Sequence, residues 1–315
     1  MTFLTLEEEL IYFETKQKIH EQLEAEVKKK GYMLIEPSFF QDYDTFTTMN
    51  PRLKKETMVK MISQEGQVLV LRPDVTTAIM KQVLSKWDQH ELKLYYLSTR
   101  FKMNSLNQIE EQKQFGIEYL GNESKEAVEE VLLQGYQVFE NLKIRYVMEL
   151  SDSRWINTLI KAMTSDLDLQ KTMKNWIDYK DRYALEKWLD QQPSSVEKDI
   201  LSRIFDLQGT MNDIIRKLSD LKLSEPLMKI IDEMKSIESR IHQEGYLNKT
   251  FVDLSMMSAF DYYEGIMFKG YLQSSMQPVL RGGRYDPLTE QLGKRCPAIG
   301  FTLTLKDLVK EVFQS

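Results

Sequence analysis

The 315-residue chain carries 42 Lys and Arg against 48 Asp and Glu, a formal net charge of −6, with 42% hydrophobic and 29% charged residues. That is the balance of a globular protein long enough to bury a substantial core in one or two domains, and its acidic sign gives no global pull toward nucleic acid. No apolar run is long enough to cross a bilayer; the acidic start MTFLTLEEEL lacks the regions of a signal peptide; and one cysteine, Cys296, with three scattered histidines, His20, His90 and His242, offers neither a disulfide framework nor a metal-ligand spacing.

Thr5-Leu6-Glu7-Glu8 fits a capping box and predicts a helix from there through Leu10, Phe13, Ile19, Leu23 and Val27 to a basic last turn, Lys28 to Lys30, and Gly31. Gly31 to Pro37, GYMLIEP, reads as a strand entered by a turn. Val68 to Leu71 is a short buried strand, followed by Arg72-Pro73-Asp74-Val75-Thr76-Thr77 and a helical pattern through Ile79, Val83 and Leu84. Asp74 and Thr76 fall where strand hands over to helix, the place of an N-terminal cap.

Leu92 to Phe101 and Gln114 to Leu120 are alternating strands joined by a loop. On the second, Gln114, Gly116 and Glu118 share one face, and Phe115, Ile117 and Tyr119 the other. Gly116 leaves room between the amide and the carboxylate. If the face is buried, the pair is costly unless something fills the gap and bonds to it; if it is exposed, no such demand exists. Arg100 closes the first strand, and the loop Met103 to Gln112 has no Lys or Arg and two glutamates.

Ser124 to Leu142 reads as a helix and Tyr146 to Leu150 as a strand. From Ser153 to Gly245 the pattern is helical and highly charged, punctuated by Pro193-Ser194-Ser195 and Ser224-Glu225-Pro226. Strand periodicity then returns at Val252, Leu254 and Met256, at Ile266, Phe268 and Leu272, and at Ile299 to Leu305. This last segment has large apolar side chains on one face and only Gly and Thr on the other, a face able to sit under a ligand. Between these strands lie Asp261-Tyr262-Tyr263-Glu264-Gly265 and Arg281-Gly282-Gly283-Arg284-Tyr285-Asp286.

The order DYYxGxxF, GGRYD, PAIGFTLTLKDLV resembles the C-terminal half of a histidyl-tRNA synthetase catalytic core. GYMLIEP and LRPDVTT are similar to that family's first class II motif and its amino-acid-binding motif. The resemblance implies an α+β fold, a class II aminoacyl-tRNA synthetase-like antiparallel sheet flanked by helices with an inserted helical subdomain. The parts are then 1–152 and 246–315 for the core and 153–245 for the insertion, with no anticodon-binding domain. It also implies a histidine site: Asp74, Thr76 and Gln114 toward the amino group, Arg100 toward the carboxylate, and Glu118, Tyr262 and Tyr263 around the imidazole. Asp261 is expected to be structural, and Gly282, Gly283 and Tyr285 to shape the wall.

Three departures from the family stand out. The loop 103–112 lacks the basic residues that hold ATP phosphates; serine occupies 258, where the family has an arginine; and Asp307 stands where the third class II motif has an arginine. Adenylation needs cations on the developing charge at phosphorus, so no catalytic residue, cofactor or metal is expected. An amino-acid site without ATP chemistry resembles the regulatory subunits of ATP phosphoribosyltransferase, the paralogues of histidyl-tRNA synthetase in histidine biosynthesis. The partners so implied are a short-form catalytic subunit in a hetero-oligomer, octameric by resemblance, a second copy of the chain as self-dimer, and histidine as feedback ligand. Neither nucleic acid nor membrane is expected, and the location implied is the cytoplasm. The rival reading is an adenylating enzyme, a truncated synthetase or amino-acid ligase.

Overall fold

Thr5 caps the first helix as its sequence predicts. Its hydroxyl accepts from the Glu8 backbone N–H at 3.3 Å, while the Glu8 carboxylate accepts from the Thr5 N–H at 2.6 Å. The helix, α1 (Leu6–Lys29), buries only Ile19, Leu23 and Val27; in its first half Leu10 and Phe13 are exposed, while the Tyr12 ring meets that of Phe313 edge-on at 5.8 Å. The computed structural model describes residues 5–50, 53–87, 90–258 and 262–314. Asp261 lies outside them. The chain divides into two units, Met1–Tyr146 with Phe260–Tyr262 and Gly270–Ser315, and Val147–Ala259 with Tyr263–Lys269.

In the first unit, α1 leads to β1 (Met33–Leu34), shorter than the strand expected from GYMLIEP, and parallel to β5 (Leu92–Met103). A small sheet follows, in which β2 (Phe40–Asp42) and β3 (Lys60–Ile62) flank β4 (Val68–Leu71), with α2 (Tyr43–Met49) between the first two in sequence. Phe46, Met58 and Val70 form its core. Then come α3 (Val75–Leu84), β5 (Leu92–Met103), β6 (Ile109–Leu120) and α4 (Lys125–Asn141).

Here the structure corrects the sequence. Residues 103–112 are mostly not a loop: β5 and β6 pair from Leu92↔Leu120 out to Met103↔Ile109, and only Asn104 to Gln108 turn. The Asn104 carboxamide oxygen accepts from the Leu106 and Gln108 N–H groups at 2.9 Å, and Asn107 takes the left-handed conformation at φ 56° that asparagine tolerates.

The second unit begins with β7 (Tyr146–Asp152) and holds α5 (Ser153–Met163), α6 (Leu167–Asp178), α7 (Arg182–Leu189), α8 (Val196–Ser202), the two-residue β8 (Gln208–Gly209), α9 (Met211–Leu218) and α10 (Glu225–Gln243). Most of these helices open on a side-chain cap, among them Asp152, Asp166, Asp181, Ser195 and Thr210. Their apolar faces meet in a core that includes Trp155, Leu159, Ile200, Ile214 and Ile241. After them β9 (Thr250–Asp253) runs parallel to β7 and antiparallel to β8. Leu254 and Met256 lie past its end.

β10 (Ile266–Leu272) ends in the first unit, where β11 (Leu280–Arg284), α11 (Asp286–Gln291), β12 (Ala298–Thr304) and α12 (Leu305–Gln314) complete the chain. The strand order there is β1-β5-β6-β12-β11. All of its neighbours are antiparallel except β1. Phe115, Ile117, Ile299, Phe301 and Leu303 are buried on one face. The opposite face carries the polar groups.

Candidate functional site

The register of three strands assembles the site. Leu94, Glu118 and Gly300 form one row across β5, β6 and β12; Tyr96, Gly116 and Thr302 form the next; Ser98, Gln114 and Thr304 form the third. Alternate residues of a strand point to one side, so the amide of Gln114 and the carboxylate of Glu118 share a face, as the sequence predicts. Both are buried.

Room for Glu118 comes from Gly300, not from Gly116. A Cβ on Gly300 would lie 2.3 Å from Glu118 Oε2 and 2.2 Å from the Ile117 carbonyl oxygen, whereas one on Gly116 would lie 2.3 Å from Tyr96 Cζ and its hydroxyl oxygen. The gap that the sequence leaves between Gln114 and Glu118 is therefore filled by the Tyr96 ring. Sequence reasoning missed this, because Tyr95 and Tyr96 are adjacent aromatics in an apolar strand and only the register shows which one crosses the glycine.

Glu118 is also the centre of the hydrogen bonding. Thr76 Oγ1 donates to its Oε1 at 2.7 Å, and the Tyr285 hydroxyl donates to its Oε2. Tyr285 is thus a polar participant and not only wall, and its ring meets that of Tyr262 edge-on at 6.1 Å. Burial pushes the Glu118 carboxyl up to about 8, with Asp74 adding to the rise and the two hydroxyls opposing it.

Asp74 is the cap its position suggests: Oδ2 accepts from the Thr77 N–H at 2.7 Å and from the Thr77 hydroxyl at 2.6 Å. Burial raises its pKa, opposed first by those two bonds and then by the Arg100 and Arg72 charges. Arg100 Nε is buried and has no hydrogen-bond partner, while the Tyr96 hydroxyl, also buried, feels the hydroxyls of Thr302 and Thr76. Arg72 differs in having all of its donors used. It bonds to the carbonyls of Pro37, Ser38 and Thr99 and to Ser98 Oγ, and its guanidinium lies over the Phe39 ring. It holds the start of α3, and with it Asp74 and Thr76, against β5.

Of the residues expected at a ligand, Asp74, Thr76, Arg100, Gln114, Glu118 and Tyr262 thus belong to one unit. Tyr263 belongs to the other, where its carbonyl accepts from Ser153 Oγ at 3.0 Å. Among the described residues, no group of three or more His, Cys, Asp or Glu is placed to hold a metal ion, and no helix is long and apolar enough to cross a membrane.

A family model described as histidyl-tRNA synthetase matches residues 10–308. The chain belongs to the histidyl-tRNA synthetase family. The chain is also similar to proteins named ATP phosphoribosyltransferase regulatory subunit. The one from Clostridium novyi (strain NT) is 29% identical over 311 residues, covering 96% of this chain and 74% of that one. The one from Oceanobacillus iheyensis is 28% identical over 302 residues, covering 94% and 74%.

Among solved structures, an ATP phosphoribosyltransferase regulatory subunit/histidyl-tRNA synthetase from Bacillus halodurans superposes with a TM-score of 0.85 at 23% identity, covering 95% of this chain and 79% of that one. An ATP phosphoribosyl transferase complex from Thermotoga maritima gives 0.67 at 16%, covering 96% and 98%. At these identities the likeness is one of fold. The fold is the class II synthetase-like sheet flanked by helices, with a helical subdomain inserted.

Proposed function

We propose that this member of the histidyl-tRNA synthetase family performs no adenylation and acts as the regulatory subunit of an ATP phosphoribosyltransferase, binding histidine on the polar face of the sheet. The observation that carries the reading is a division within one unit. The amino-acid end is built and buried, with Thr76 and Tyr285 bonded to Glu118 and Asp74 beside Arg100. At the positions where the family would hold ATP, positive side chains are lacking or neutralised. The tip of the β5–β6 hairpin has no Lys or Arg between Met103 and Gln112, the flanking Lys102 is paired with Glu110 at 3.2 Å, and position 307 is an aspartate, whose charge adds to the rise that burial causes in the Tyr12 pKa. Without cations at phosphorus the transition state of adenylation is not stabilised.

The names of the relatives support the partner, a short-form catalytic subunit that needs this chain for activity and for inhibition by histidine. Histidine inhibits by binding differently to the active and inactive arrangements of the assembly, and the linkage is reciprocal. Self-association into a dimer is supported by apolar side chains left exposed on β1, β2 and β3: Met33, Leu34, Phe40, Met61 and Ile62.

Reconstitution with a short-form catalytic subunit tests the proposal. Pyrophosphate release from ATP and phosphoribosyl pyrophosphate should rise from near background when this chain is added, and fall again with histidine. Full activity of the catalytic subunit alone would refute the activating role. Histidine-dependent ATP–pyrophosphate exchange by this chain alone would establish the rival reading, an adenylating enzyme.

A further inference from the structure

Glu118 is 1% exposed, and the elements around it present neutral groups and one acid. Its own row of the sheet holds Leu94 on β5, Gly300 on β12 and Gly283 on β11. Tyr96, a neutral phenol, stands in the next row of β5. The start of α3 brings Thr76, which donates to Oε1, and Asp74; Tyr285, the residue ahead of α11, donates to Oε2. Both donors are uncharged hydroxyls. Among the described residues, Asp74 is the charge that acts on Glu118, and its sign is the same. The cations of this face act on Asp74 instead: Arg100, and Arg72, whose N–H donors are all taken by protein oxygens.

A buried carboxylate needs a cation or several strong donors to remain charged. Two neutral hydroxyls beside a second carboxylate are a poor substitute. The backbone of β12 also closes off one side, since a Cβ on Gly300 would lie 2.3 Å from Glu118 Oε2. This cluster favours the neutral acid, in line with the upward shift that burial and Asp74 cause. An amino acid alters the balance. Its ammonium is charged at pH 7, and between Asp74 and Glu118 it offsets the first carboxylate and pairs with the second.

We propose that Glu118 is a neutral acid in the ligand-free protein and a carboxylate when an amino acid is bound, so that binding breaks the carboxyl O–H bond and sends one proton to solvent. The ligand's ammonium and ring N–H keep their protons. Binding is then linked to pH: the site holds its ligand more tightly as pH rises toward about 8, and feedback through it weakens on acidification. The inference deepens the reading above that histidine is the ligand, and rests on it.

Calorimetric titration of the full chain with histidine at pH 7, in phosphate and in Tris, reads the proton, because the two buffers take up protons with different heats. About one proton released per histidine is expected in the wild type, and close to none in Glu118→Gln, whose amide does not titrate. Wild-type affinity should rise roughly fivefold between pH 7 and pH 8, where a group of pKa about 8 ionises, while that of Glu118→Gln stays level. Binding without proton release, or with the same release from both proteins, would overturn the linkage and leave histidine binding standing. No histidine binding by the wild-type chain would overturn the underlying reading, and this inference with it. Should Glu118→Gln fail to fold or to bind, Tyr285→Phe decides. It removes a bond that favours the charged form, so the pH at which affinity levels off should move upward, and an unmoved profile would sink the proposal.

Discussion

Glu118 sits where burial and function oppose each other. Its carboxyl is pushed from an ordinary 4.5 up to about 8. The folded protein therefore keeps a proton on Glu118 that the unfolded chain gives up as pH passes 4.5. The stability linked to this group is complete below that value and is lost as pH rises toward 8. Asp74, Tyr285 and Tyr96 surround it, and the Asp74 shift has the same sign. His20, held down to about 4 by burial and by Lys16 and Lys113, gives a slope of opposite sign below 6.5. Thermal unfolding at pH 5 and pH 8 should thus show wild type losing ground to Glu118→Gln as pH rises, with His20 cancelling from the comparison. Parallel curves would mean that Glu118 is already ionised in the folded state. Toward the ligand the same variant weakens a charge-assisted bond to the imidazole. Histidine inhibition of the reconstituted complex is expected to shift about ten- to a hundredfold to higher concentration, while activity without histidine stays near wild type; an unchanged inhibition curve would place the feedback site elsewhere. Gln114 and Glu118 were legible in the sequence because polar residues alternated with large apolar ones beside a glycine, and Asp74 because it falls where strand hands over to helix. Tyr96 and Tyr285 were not. Nothing local separates a tyrosine whose hydroxyl serves a carboxylate from one whose ring fills a core.

At the scale of elements, the site is written in the register of β6 and β12, which pair from Gln114↔Thr304 to Leu120↔Ala298. Gly300→Ala would press a methyl against the Ile117 carbonyl, which is backbone, and against the Glu118 carboxylate. A loss of about 1–3 kcal/mol is expected, the usual range for overpacking, read as a lower denaturation midpoint with an unchanged slope. An added methyl tolerated without loss would show that the strands part more easily than their pairing suggests. The strands themselves were plain from their alternation. The outer part of the β5–β6 hairpin was not, because Glu110 to Lys113 is polar on both faces, and a strand that projects past its neighbours has no buried side to pattern it. The first half of α1 erred in the other direction. Leu10 and Phe13 continue the helical spacing of Ile19, Leu23 and Val27, yet they are exposed in this single chain while those three are buried.

For the whole molecule, exposed apolar side chains on β1, β2 and β3 are the features that a lone chain leaves unexplained. If a second copy covers them, Leu34→Asp combined with Ile62→Asp should shift the protein from dimer to monomer in light scattering after size exclusion. Each buried charge left without a partner would cost several kcal/mol at such an interface. A wild type that is monomeric at micromolar concentration would remove the proposal, and a double variant that stays dimeric would move the interface to another surface. This surface was not readable from spacing. The sequence marks where helices crowd together, but not which apolar residues remain uncovered when one chain has folded.

Arg72 has a further consequence, for motion. Its guanidinium ties Pro37 and Ser38 to Ser98 and Thr99, while its own backbone N–H bonds to the Phe39 carbonyl at 2.7 Å and its carbonyl accepts from the Phe101 N–H at 3.0 Å. Opening any one of these segments strands a buried charge, so they open together or not at all. Amide hydrogen exchange at Arg72 and Phe101 should therefore proceed at one common rate in the wild type. In Arg72→Met, which also orphans three carbonyls, the two should become faster and separate.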